Sequence, residues 1–355
     1  MNIIMININF FYICFMQFSD ILGQDYIKNH LIKSALLGRI PHAQLFVGPE
    51  GCGTLAMAIA YAQFVLCNNQ GQENTGGNES CNLKFQSLSH PDLHFVYPNV
   101  TNDDIKTKPK SADFILDWRE FVSKNPYGSL FDWHKHLGVE NKQGMIRVED
   151  ASDILKALAL KSYEGGYKIM IVWMAEKLHT SAANKLLKLL EEPPEKTVFI
   201  LVTENEEDII TTIKSRCQIL QFPVLSEADI SKGLVEKEDT DLPIAKQIAH
   251  QADGNFNKAL HLLHNDNSDE QFEQWFIIWV RSAFKAKGNA SVIKELIDWS
   301  ETIAKAGRET QKRFLHYCLQ FFRQALLLNY SADDLVFLQP KTPNFDLEKF
   351  APFVH

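Results

Sequence analysis

Positive charge is scarce in this sequence. Across 355 residues, 36 Lys and Arg face 44 Asp and Glu, a formal net charge of -8. Holding nucleic acid by an overall field needs clustered cations that release counterions, so this balance excludes such binding and leaves room only for a local basic patch. Cysteine is sparse too. Cys14, Cys52, Cys67, Cys81, Cys217 and Cys318 have no dense framework spacing, which excludes a disulfide scaffold and reads as free thiols in a reducing cytoplasm. Long hydrophobic runs are missing. The apolar residues 1–15 carry no basic leading segment and no small-residue cleavage site, and they are too few to cross a bilayer. They read as a dispensable extension, and no membrane partner is expected. What remains is 45% apolar and 11% aromatic, enough to fill the cores of two or three folded domains.

Residues 168–222 organise the rest. Lys168-Ile169-Met170-Ile171-Val172-Trp173 is an apolar run without polar alternation, the pattern of a strand buried on both faces of a parallel sheet. A helix follows, capped by Thr180 or Ser181, with Ala183, Leu186, Leu187 and Leu190 on one face and Pro193-Pro194 ending it. A second buried strand (197–203) and a short run at 219–222 come next. Strand, helix and strand in about 35 residues is the size of one βαβ unit.

Upstream, Gln44-Leu45-Phe46-Val47 reads as a strand that runs into Gly48-Pro49-Glu50-Gly51-Cys52-Gly53-Thr54-Leu55 and then a helix. A phosphate-binding loop has the form G-x-x-x-x-G-K-[ST], in which backbone N–H groups wrap the phosphates, the Lys neutralises them and the hydroxyl holds Mg²⁺. Gly48, Gly51 and Gly53 keep the cradle, but Thr54 stands at the Lys position and Leu55 at the hydroxyl position. Nucleotide binding is therefore expected to be feeble, and the glycines are read as turning a strand into a helix.

The string Ala182-Ala183-Asn184-Lys185-Leu186-Leu187-Lys188-Leu189-Leu190-Glu191-Glu192-Pro193-Pro194, then Thr212-Ile213-Lys214-Ser215-Arg216-Cys217, together with His42-Ala43-Gln44-Leu45-Phe46-Val47-Gly48-Pro49, resembles the AAA+ module of bacterial clamp-loader subunits over roughly residues 17–265. Within that group it is most similar to the delta-prime family of the DNA polymerase III holoenzyme. The resemblance implies an α/β fold: a P-loop-type parallel sheet flanked by helices (16–223, with an insert at 98–143), a small helical lid (224–267) and an all-α collar (268–355). It also implies that Gly23-Gln24 lies beside the place of a nucleotide base.

In active relatives the strand at 168–172 ends in Asp-Glu, which hold Mg²⁺ and polarise water. Here Trp173-Met174 stand there and can do neither. Glu176, two positions on, reads as a surface carboxylate. The nucleotide-sensing Arg of the family aligns with Asn257, with Lys258 one position away. Arg216 is retained, and the resemblance gives it the role of an arginine finger reaching a neighbour's ATP. The expected function is a non-hydrolysing stator subunit, with no cofactor of its own, that contacts the neighbour's ATP. Its implied partners are gamma/tau-type motor and delta-type subunits in a heteropentamer, with the sliding clamp and primer-template DNA engaged through the complex. The rival reading is an ATP-hydrolysing gamma/tau-type motor.

Related chains often carry a four-cysteine zinc knuckle before a His-Pro-Asp motif. This chain has Cys67 and Cys81 before His90-Pro91-Asp92, short of a closed tetrahedral set, so zinc is not expected and both cysteines read as free thiols on a loop. In the insert, Lys106, Lys108 and Lys110 are basic, while Trp118, Phe121, Phe131 and Trp133 read as anchors of small helices rather than base-stacking platforms. A strand and helix are expected over 145–161, with Ile154, Leu155, Leu158 and Leu160 as its apolar residues. Helical stripes at Phe272, Trp275, Phe276, Trp279 and Val280, and at Phe314, Leu315, Cys318, Phe321, Phe322 and Ala325, read as core or interface.

Overall fold

In the computed structural model the described residues are 17–354, apart from 69–77, 140–141, 164–165, 265–267, 287–288, 333–334, 337, 339, 341 and 344. The extension read at 1–15 lies outside them. The chain divides into two compact units: residues up to Trp133 with Gly144–Leu225, and His134–Gln143 with the residues from Ser226 onward.

The first unit is built on five parallel strands, β1 (Ala43–Val47), β2 (Leu93–Val96), β3 (Lys168–Trp173), β4 (Thr197–Thr203) and β5 (Gln218–Gln221), in the order β2-β3-β4-β1-β5. Every residue of β1, β3 and β4 is buried, which is why these segments carry no polar alternation. Around the sheet run α1 (Asp25–Leu36), α2 (Thr54–Cys67), α3 (Glu79–Gln86), α4 (Ile115–Lys124), α5 (Leu130–His136), α6 (Val148–Ala159), α7 (Thr180–Glu191) and α8 (Thr211–Lys214). A buried parallel sheet with helices packed around it is the expected α/β AAA+ architecture.

Helix α7 connects the adjacent parallel strands β3 and β4. Its buried face is Ala182, Ala183, Leu186, Leu189 and Leu190, with Leu187 only half-buried, so the apolar stripe is rotated from the expected one. The cap also differs. His179, not Thr180 or Ser181, is the N-cap, its ring nitrogen accepting from the Ser181 N–H at 3.3 Å. The helix ends before Pro193-Pro194, which cannot continue it. Helix α6 is fixed at both ends. Asp150 in its first turn accepts N–H bonds from Arg147 (3.0 Å) and Ser111 (2.7 Å) and from the Asn99 amide (3.1 Å). At the other end the buried Lys168 ammonium donates to the Leu158 and Leu160 carbonyls, which lie at the helix end that lacks intrahelical donors. Burial lowers the Lys168 pKa. Of this segment's apolar residues Leu155 and Leu160 are 40% and 70% exposed, and the strand expected at 145 amounts to single bridges of Met145 to Asn99 and Ile146 to Leu178.

One further correction concerns the approach to the insert. Cys67, the last residue of α2, is bridged to Cys81 in α3. They are therefore not the free thiols expected; their Cα atoms lie 5.5 Å apart, within the span of a disulfide. Within the insert, Lys108 faces Glu149 at 3.8 Å, and Lys110 meets Asp153 at 3.0 Å, a bond that holds that carboxyl below its usual range.

The second unit is helical: α9 (Glu227–Glu238), α10 (Leu242–Ala252) and α11 (Phe256–Leu263), then α12 (Ser268–Lys285), α13 (Ala290–Lys305), α14 (Arg308–Asn329) and α15 (Leu347–Phe350). Phe272, Trp275, Phe276, Phe314, Cys318 and Phe321 form one core with Phe350, as the two stripes require. Leu315 is the exception at 65% exposed. Among the described residues, no helix is long and apolar enough to cross a membrane.

Candidate functional site

Parallel α/β sheets present ligand sites beyond the carboxyl ends of their strands, and the glycine loop leaves β1 at that end. Gly48 donates its N–H to the Thr203 carbonyl at 3.2 Å. A Cβ there would lie 2.6 Å from the Cys52 sulfur and 2.7 Å from Phe222 Cβ, so only glycine fits. Gly51 and Gly53 have φ of 72° and 94°, and Gly53 is the N-cap of α2. Thr54 is half-buried and Leu55 is packed into the core. Burial pushes the Cys52 thiol up to about 12.

The insert covers this loop. Tyr127, 4% exposed, lies against Gly53 so closely that a Cβ at that position would sit 2.8 Å from its ring. Its hydroxyl accepts the Leu22 N–H at 2.9 Å. Next to Leu22, Gln24 donates its amide to the carbonyls of Pro223 (2.7 Å) and Cys52 (3.3 Å), so the Gly23-Gln24 segment is tied to both the glycine loop and the end of β5. Trp173 and Met174, at the end of β3, are 2% and 3% exposed. The Trp173 ring lies 5.1 Å from Trp118 and 6.1 Å from Phe121, and Trp118 in turn stacks on Tyr97 at 4.1 Å and meets Trp133 edge-on at 5.4 Å. Between Gly51, Gly53, Thr54, Tyr127, Trp173 and Thr203 a cavity of about 20 Å³ is left, room for a single water.

Glu176 is not a surface carboxylate. It is half-buried, and burial raises its pKa against an opposing hydrogen bond from Thr203. In the second unit, Asn257 at the sensing position is buried in α11 (1% exposed), and the Lys258 N–H is taken by the Asn255 cap at 2.9 Å. Among the described residues no three His, Cys, Asp or Glu side chains are grouped to hold a metal.

The structure brings Gly48, Gly51, Gly53, Thr54, Leu55, Trp173 and Met174 together and keeps Arg216 away from them. Gln44 of β1 pairs with Gln218 of β5. Arg216 precedes β5 and Gly48 follows β1, so the two lie at opposite ends of these paired parallel strands. There, at the opposite sheet end, Arg216 is half-exposed. Its Nη1 donates to the Thr212 carbonyl (2.9 Å) and the Ser215 hydroxyl (3.2 Å), and its Nη2 to Glu191 at 2.6 Å. Tyr127 and Glu191 are the site residues that sequence reading misses. For Tyr127 the only signal is its place between Pro126 and Gly128 in a turn; for Glu191 it is a motif position with no evident charge partner.

A family model described as DNA polymerase III, delta subunit, matches residues 23–226. The chain is 28% identical over 247 residues to DNA polymerase III subunit delta' of Bacillus subtilis, covering 70% of this chain and 61% of that one. It is 30% identical over 203 residues to subunit delta' of Haemophilus influenzae, covering 56% and 49%. A gamma subunit from Buchnera aphidicola matches at 27% over 257 residues, covering 70% and 58%. The chain thus spans about half to three fifths of the length of these curated relatives, and identity alone does not separate delta' from gamma. With its parallel sheet, glycine loop and matched region, the chain belongs to the DNA polymerase III delta subunit family, as an AAA+ clamp-loader chain similar to delta'.

Proposed function

We propose that this chain is a stator of the bacterial clamp loader: it hydrolyses no ATP and lends Arg216 to an ATPase neighbour during loading of the sliding clamp onto primed DNA. The observation that carries the reading is the filled glycine loop. A triphosphate needs a cation, a hydroxyl on Mg²⁺ and an acid beyond it. Here those places hold Thr54, Leu55 and Trp173, and Tyr127 lies on the glycine that would have to approach the phosphates. The residues present do not fit a bound triphosphate.

Arg216 supports the second half of the reading. A guanidinium is a planar, always-charged fork suited to phosphate oxygens. At the opposite end of the sheet from its own glycine loop, it is placed to serve a neighbour's nucleotide rather than its own. The partners are gamma/tau-type and delta-type subunits in a heteropentamer, with the clamp and primer-template DNA engaged through the complex. The motor reading would require Lys and Ser or Thr at 54 and 55 and acids at 173 and 174.

The test is ATP turnover by the purified chain alone, then reconstituted with its own organism's loader subunits, clamp and primed DNA. The ATPase subunits carry Ala in place of their own finger arginines, so that only the site served by Arg216 turns over. The chain alone is expected to be inactive, and Arg216→Ala to slow the mixture by roughly 10³-fold or more. Turnover by the chain alone would restore the motor reading, and an unaffected Arg216→Ala mixture would remove the finger.

A further inference from the structure

We infer that Glu191 is the residue that positions the Arg216 guanidinium for the neighbour's phosphate; the inference rests on the trans-finger reading above. Three contacts hold the fork. Two of them, the Thr212 carbonyl of α8 and the Ser215 hydroxyl, come from the residues immediately before Arg216 itself. They bind Nη1 to its own backbone segment and move with it. The third, Glu191 at 2.6 Å from Nη2, comes from 25 residues away. It is the only contact among the described residues that ties the guanidinium to a part of the chain distant in sequence. That element is firmly seated: α7 is anchored by Ala183, Leu186 and Leu190 in the core beside β3 and β4, and Glu191 is its last residue. Two hydrogen bonds on Nη1 and one on Nη2 fix the plane of the fork as well as its place. One Nη2 hydrogen and the Nε–H are then left for an incoming anion.

Helix stability does not account for the pair. A carboxylate at a helix C-terminus faces the negative end of the dipole, and the side chains of Arg216 and Glu191 are 34% and 49% exposed, so the bond adds little to folding. Its effect falls on the orientation of the finger, where a misplacement of about 1 Å can cost a hundredfold in rate.

The experiment is a double-mutant cycle in the reconstituted loader described above, with thermal unfolding of each variant chain as the folding control. Glu191→Ala is expected to lower kcat about tenfold while leaving the KM for ATP within about twofold. Glu191→Gln, whose amide oxygen accepts the same N–H, is expected to restore the rate. The Glu191→Ala/Arg216→Ala double variant is expected to be no slower than Arg216→Ala, because a positioning residue has nothing left to position. If Arg216→Ala is slow while Glu191→Ala runs at the unmodified rate, or if the two losses multiply, or if Gln fails to rescue, the positioning role is overturned and the finger stands. If Arg216→Ala itself has no effect, both are overturned.

Discussion

Replacing Tyr127 with Phe removes one oxygen and leaves the ring on Gly53. The hydroxyl is the acceptor for the Leu22 N–H at 2.9 Å, and both residues are nearly sealed from solvent, at 4% and 6% exposed. In the variant that N–H becomes a buried donor without a partner, a loss of about 1–3 kcal/mol. In a unit of this size each kcal/mol moves the midpoint by about 2–4 °C, so thermal unfolding should shift by roughly 2–12 °C. Urea titration should register the same loss as a lower midpoint at unchanged slope, fitted as separate transitions because the chain has two compact units. Tyr127→Ala removes the ring as well and should cost about 3–5 kcal/mol; the difference between the variants isolates the packing on Gly53. A Phe variant within about 0.5 kcal/mol of the parent, the range of an ordinary surface change, would refute the idea that this side chain seals the loop.

Two further outcomes are expected. Burial raises the folded-state pKa of Glu176, so its protonated form is the one the fold favours. Its contribution is intact below the usual carboxylate range and is lost as pH rises through the raised value. Glu176→Gln should therefore gain on the parent in stability as pH rises above the usual carboxylate range, and a gap that does not change with pH would contradict this. The Cys67–Cys81 bridge closes a loop with a sequence separation of 14, for which chain entropy gives about 3 kcal/mol. Reductant, or Cys67→Ser, should lower the melting temperature, and indifference to reductant would mean that the bridge is not formed.

The sheet is legible in the sequence because β3 and β4 are unbroken apolar runs, and a strand buried on both faces has no other pattern. The glycine loop is legible because close backbone approach leaves few residue choices, as Gly48 illustrates. What lies between distant segments is not legible. Nothing local in Tyr127 says that it will meet Gly53, 74 positions earlier, or that Trp118 will reach Trp173. Periodicity reports which residues seek burial, not which neighbours they find, so Trp118 and Trp133 are read correctly as anchors while their target is missed. Cys67 and Cys81 fail for a related reason: the stretch between them gives no pattern from which the meeting of α2 and α3 follows. Leu315 and Leu160 remind us that an apolar residue on a stripe can still face solvent.

The aromatic packing at the end of β3 carries a consequence for redesign. Trp173 belongs to a nucleus shared with Trp118, Phe121, Tyr97 and Trp133. A single substitution cannot simply install an acid there: Asp at 173 would place an unpaired carboxylate among rings and leave a void beneath it. Any carboxylate at this strand end would need the surrounding rings rebuilt with it, so the position is locked by its neighbours and not by its own identity alone.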